Sequence, residues 1–103
     1  MGNQGWKRVE RELAAIMGGK RLPSNGSAQP DVVVEGMFSV ESKARQSMPD
    51  WFIDAVEQAR RSAFAGTVPV TVFQWHRPGI KTRRFFVLDE RSWAELHGPV
   101  GDR

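Results

Sequence analysis

A chain of 103 residues suffices for one domain with a modest core, and its apolar (40%) and charged (26%) fractions are those of a globular protein rather than a disordered one. It has no cysteine, which excludes a disulfide framework and thiolate-bound zinc, and its histidines, His76 and His97, are too isolated for a histidine metal cluster. The formal net charge of +3 is a mild excess that names no partner by itself.

Residues 4–18 predict a helix, because Trp6, Val9, Leu13, Ile16 and Met17 recur at helical spacing and Gly18-Gly19 stop it. Lys20–Leu22 allow a short strand ahead of "LPSNGSAQP" (22–30), which has the Pro, Ser, Asn and Gly content of a loop. Strands follow at about 31–35 and 37–43, with Gly36 permitting a tight reversal. Ser47 or Pro49 introduces a second helix over about 49–65, where Phe52, Val56, Ala59 and Ala63 keep helical period before Gly66. "VPVTVFQW" (68–75) and "RRFFVLD" (83–89) are β-rich runs joined by a Pro-Gly turn at 78–79, and a short helix at about 90–97 closes the chain. This order predicts a single α/β domain over 1–103, with a central mixed sheet, flanking helices and a parallel connection through the second helix.

No apolar run approaches the ~18 residues of a membrane span, and no signal-peptide stretch opens the chain. The expectation is an intracellular, cytoplasmic protein, or one of the host-cell cytoplasm if its source is viral. Positive charge clusters in "HRPGIKTRR" (76–84), which holds Arg77, Lys81, Arg83 and Arg84 without an acid, and at Arg60-Arg61. Each cluster reads equally well as a phosphate-binding surface or a solvated basic face.

The chemistry is concentrated in "QPDVVVEGMFSVESKAR" (29–45). Alternation along a strand puts Glu41 and Lys43 on one face, and the reversal at Gly36 brings Asp31 back to the Glu41 end. Two neighbouring carboxylates repel unless a proton or a cation lies between them. A hard divalent cation suits such oxygens, and magnesium commonly takes one or two protein carboxylates. The bound ion would activate water and neutralise a phosphodiester, with Lys43 orienting that water or stabilising developing charge. The pattern thus fits a metal-dependent phosphodiesterase site at a strand end, against the plainer reading of a surface Glu-Lys pair beside an unrelated aspartate.

Pro30-Asp31 followed by Glu41-Ser42-Lys43 resembles the motif of the PD-(D/E)xK nucleases, and within them the archaeal-type Holliday junction resolvases, over about residues 4–88. "VERELAAI" (9–16) is similar to their first helix, "SNGSAQPD" (24–31) to the loop entering the metal-binding aspartate, and "VESKAR" (40–45) to the paired acid and lysine. "EQARRS" (57–62) and "TRRFFVL" (82–88) resemble their following helix and a late basic and aromatic strand, whereas Ala28 and Gln29 stand where the resolvases often carry basic residues.

The resemblance implies a restriction-endonuclease-like fold and a homodimer that hydrolyses paired strands of a four-way DNA junction, leaving 5′-phosphates and 3′-hydroxyls. It implies that Asp31, Glu41 and the Ser42 carbonyl hold Mg2+, with Mn2+ able to substitute, and that Glu10 completes the shell directly or through water. Periodicity separates Glu10 from Glu12 only slightly; the resemblance selects Glu10. It also selects Ser24, ahead of Ser27, for a contact near the scissile phosphate, and assigns phosphate contacts to Arg45, Arg60, Arg61, Arg83 and Arg84. The alternatives are a restriction-like or repair endonuclease on duplex DNA and a non-catalytic DNA-binding module. Gln58 reads as a surface residue before a site residue, and Trp6, Trp51, Trp75 and Trp93 as core or interface before base-stacking groups. His76 reads as a solvated turn residue.

Overall fold

The computed structural model describes residues 2–23, 26 and 28–98 as a small mixed α/β protein with three helices and two antiparallel sheets. The chain divides into two compact units, one drawn from Met1–Gln46 and His97–Arg103 and the other formed by Ser47–Leu96.

In the first unit, helix α1 (Gly2–Met17) ends at a pair of glycines. Gly18 adopts φ 71°, its N–H donates to Ala15 O at 3.3 Å, and Gly19 N–H donates to Ala14 O at 2.8 Å, the paired bonds of a Schellman cap. Gly19 is required for a different reason, since a Cβ there would lie 2.6 Å from Val33 O. That close approach lets the chain turn straight into β1 (Lys20–Arg21), which pairs antiparallel with β2 (Val32–Val34), and β2 pairs antiparallel with β3 (Phe38–Val40). Gly36, at φ 73°, makes the β2–β3 reversal. Helix α1 packs on β1 and β2.

Among the described residues of this unit, Val32, Val34, Ala14 and Glu10 are buried. The inward face of α1 therefore centres on Glu10 and Ala14, one turn apart, with Trp6, Leu13 and Met17 half-buried around them. Val9 and Ile16, expected in the apolar stripe, are exposed instead. Ala14, small and buried, lies on the face of α1 that packs toward β1 and β2. A carboxylate consequently stands where periodicity placed an edge.

In the second unit, α2 (Asp50–Ser62) begins after Pro49, which needs no N–H donor there, and carries Asp50 in its first turn and Arg60 and Arg61 in its last, matching the helix dipole. None of its residues is buried. Strands β4 (Thr71–Arg77) and β5 (Ile80–Val87) form a ribbon around Pro78-Gly79, with Gly79 at φ 75°. Pro69 lacks a ladder donor, which delays the strand expected from residue 68. Phe73 of β4 stacks on Phe52 of α2 at 5.3 Å and meets Trp51 edge-on at 5.4 Å. Helix α3 (Glu90–Leu96) is capped by Asp89, whose Oδ1 accepts from Ser92 N–H at 2.9 Å.

The expected central mixed sheet with a parallel connection is not what forms: every pairing among the described residues is antiparallel, in one sheet ordered β1-β2-β3 and one ordered β4-β5. Both sheets close through local reversals, which cost less loop entropy than a crossover. Strand β3, with 3 residues, offers little ladder to a distant partner.

Candidate active site

The site starts where a side chain takes over a rung of the β-ladder. Asp31 precedes β2, and its backbone is held on both sides: its N–H donates to Val40 O at 2.9 Å, and its carbonyl accepts from Leu22 N–H at 2.9 Å. Ser42 N–H then donates to Asp31 Oδ2 at 2.8 Å. The donor that would have extended β3 is thus claimed by a carboxylate, and β3 stops at Val40 rather than reaching residue 43. Beyond it, outside the strand, Glu41 and Lys43 are drawn together by their charges, with Nζ 3.4 Å from Oε2 and both side chains exposed.

Glu10 arrives from α1. It is 7% exposed, and its Oε1 accepts from Arg21 Nε at 3.0 Å. The Arg21 guanidinium also lies 5.7 Å from the centre of the Trp6 ring. Glu12, the rival glutamate, is exposed and paired along the helix with Arg8 at 3.2 Å. Trp6 and Glu10 line two cavities, one shared with Arg21 and Asp31, the other with Ser42, Lys43 and Arg45. Glu10 therefore stands between the Asp31 side and the Lys43 side of the site.

As the side chains stand, Arg21 answers Glu10, Lys43 answers Glu41 and the Ser42 amide answers Asp31. Among the described residues no three acidic or histidine side chains converge as a metal-holding group. The donors on offer are all oxygens, the set suited to a hard divalent cation; a shell using Glu10, Asp31 and Glu41 together would draw the two glutamates away from their cations. Ser24 and Ser27 lie outside the described residues. Gln29 Nε2 donates to Pro23 O at 2.6 Å.

The arginines expected on phosphates are in differing circumstances. Arg45 is exposed on the Lys43 cavity. Arg60 forms an ion pair with Asp89, so its charge is partly spent within its own unit, while Arg61 is exposed. Arg83 lies over Phe85, 4.9 Å from the ring centre, and Arg84 Nε donates to Gln74 Oε1 at 2.8 Å. Strand alternation puts these sequence neighbours on opposite faces of the ribbon.

Gln58 is exposed. Trp51 and Trp75 are largely exposed rather than core residues. His76 lies within β4, not in a turn, with Nδ1 2.8 Å from Thr82 Oγ1. Sequence reading missed Arg21 and Trp6 as site residues. The one available signal was the short strand at Lys20–Leu22, but only the folded pairing of β1 with β2, and the Arg21–Glu10 bond it permits, brings Arg21 into the site.

No family model, curated protein or solved structure matches this chain. No helix among the described residues is long and apolar enough to cross a membrane.

Proposed function

We propose that the chain is a magnesium-dependent, structure-selective endodeoxyribonuclease of the PD-(D/E)xK kind that resolves four-way DNA junctions, working inside the cell as a homodimer. The observation that carries this reading is the register bringing Asp31 against Ser42, with Glu41 and Lys43 projecting together beside it. The restriction-endonuclease-like fold belongs to the proposal: the order of helices and strands is compatible with it, whereas the two antiparallel sheets of the described residues do not supply its central mixed sheet.

In this reading Asp31, Glu41 and the Ser42 carbonyl hold the ion, and Glu10 contributes directly or through water. The ion, when bound, neutralises phosphate charge and activates water. Lys43 orients that water for in-line attack on phosphorus; the bond to the 3′-oxygen breaks, that oxygen is protonated, and a 5′-phosphate and a 3′-hydroxyl remain. Ser24 contacts the scissile phosphate. Arg45, Arg61, Arg83 and Arg84, with Arg60 once released from Asp89, grip phosphates without reading sequence.

A non-catalytic DNA-binding module is the second reading, favoured by the internal partner that each carboxylate already has. The test offers equal amounts of a four-way junction and a linear duplex of the same sequence, with magnesium and with chelator. Paired, symmetry-related nicks confined to the junction support the resolvase; equal cutting of the duplex supports a restriction-like or repair nuclease; binding without cutting supports the module.

A further inference from the structure

The β4–β5 ribbon has two unlike faces. Directly opposed residues share a face, so Phe73 and Phe85 belong together, and Phe73 packs against Phe52 and Trp51 of α2. On that face Arg77 covers Trp75 at 3.9 Å and Arg83 covers Phe85 at 4.9 Å. The other face presents Val72 opposite Phe86 and Gln74 opposite Arg84, then His76 beside Thr82 where the register shifts.

Phe86 is 68% exposed and Val72 38%. Among the described residues no ring or guanidinium covers Phe86. Two residues along the same face, Arg84 donates its Nε to Gln74 Oε1 at 2.8 Å. From residue 63 to 88 the chain carries Arg77, Lys81, Arg83 and Arg84 and no acid. A second copy docking the same patch on itself would set Arg84, the arginine on this face, against its own like charge. A polyanion bearing flat apolar rings complements both features. Duplex DNA keeps its base faces stacked inside, whereas an unpaired nucleotide exposes one to Phe86 and a phosphate to Arg84.

We propose that this outer face of the ribbon, centred on Phe86 and Arg84 with Val72 and Gln74 beside them, binds single-stranded DNA by stacking an unpaired base on Phe86. The inference deepens the proposed function by naming unpaired nucleotides at a branch as what the basic ribbon recognises. It is tested without metal or cleavage, so the two ideas fail separately.

Anisotropy of a fluorescein-labelled oligo(dT) of about 12 nucleotides is measured in chelator beside a blunt duplex of equal length. Phe86→Leu keeps the apolar surface but loses the ring, and is expected to weaken oligo(dT) binding by about 5- to 150-fold, the range for one stacked base, with duplex binding within about two-fold of the parent. Phe86→Trp restores oligo(dT) binding, and Arg84→Gln weakens both DNAs. Equal binding by Phe86→Leu and the parent overturns the proposal, as does equal loss on both DNAs, failure of Phe86→Trp to restore, or a change confined to oligomeric state. Photocrosslinking of the unaltered protein to bromodeoxyuridine oligomers gives a check independent of any variant's folding: the adduct is expected within residues 83–88, and an adduct found only elsewhere overturns the proposal. Junction cleavage in magnesium with unchanged Phe86→Leu binding retains the nuclease and discards the platform; the converse does the reverse.

Discussion

Replacing Arg21 by methionine would strand the Glu10 carboxylate. The paired side chains are 19% and 9% exposed, so both charges are largely removed from water. Methionine keeps much of the arginine's apolar stem but offers nothing to the carboxylate. Breaking a buried ion pair from one side typically costs about 3–5 kcal/mol, and the residual exposure of Arg21 puts the expectation at the lower end, about 3 kcal/mol. With a urea dependence of about 1–2 kcal/mol per molar, the midpoint should fall by roughly 1.5–3 M. Urea unfolding followed by far-ultraviolet circular dichroism measures the shift, and hydrogen exchange at Val32–Val34 ascribes it to the unit holding Glu10. The double variant Glu10→Gln/Arg21→Met removes the stranded charge and should recover at least half of the loss. A single variant within about 0.5 kcal/mol of the parent, or a double variant no better than Arg21→Met, would refute the buried-pair argument.

Asp31→Asn and Glu41→Gln should each abolish metal-supported cleavage while leaving junction binding within a few-fold, and Lys43→Ala should likewise lose cleavage first; near-parental cutting by purified Glu41→Gln would remove the site assignment. Replacing Arg83 and Arg84 together should weaken diverse duplexes alike and flatten the dependence of log K on log salt by about 0.9 for each phosphate no longer neutralised, read by titration across salt concentrations. Gly19→Ala would push a methyl into Val33 O and should destabilise the α1–β1 junction by about 1–3 kcal/mol, measurable as a lowered urea midpoint.

Helices, turns and the β-rich runs were legible because their signals are local: the glycine pair after α1, Pro49 before α2 and Gly36 between two apolar runs. The Asp31–Glu41 neighbourhood was legible because a tight reversal leaves few registers. What could not be read depends on rotation and pairing. An apolar stripe through Val9 and Ile16 fitted helical period as well as the true inward face, and only packing against Val32 and Val34 turns Glu10 inward. Arg21 joined the site through a strand of two residues, too short to carry a periodic signal. Arg83 and Arg84 read as one cluster, although a strand must send consecutive side chains apart. The expected parallel connection assumed that a helix between strands implies a crossover, whereas each strand of this chain pairs within its own sheet.

The bond from Ser42 N–H to Asp31 also bears on how the hairpin finds its frame. Val32, Val33 and Val34 are identical, so hydrophobicity alone distinguishes poorly between a correct alignment and one slipped by a residue. A slip of that kind would drive a charged carboxylate toward the position Val32 occupies, fully shielded from water. In the observed frame the same carboxylate meets an amide instead. Asp31 thus acts as the punctuation of an otherwise uninformative tract, and its two replacements are not equivalent knockouts. Asparagine keeps an acceptor for Ser42 and with it the frame; alanine removes charge and punctuation together, so a silent alanine variant reports a misaligned hairpin as readily as a missing ligand.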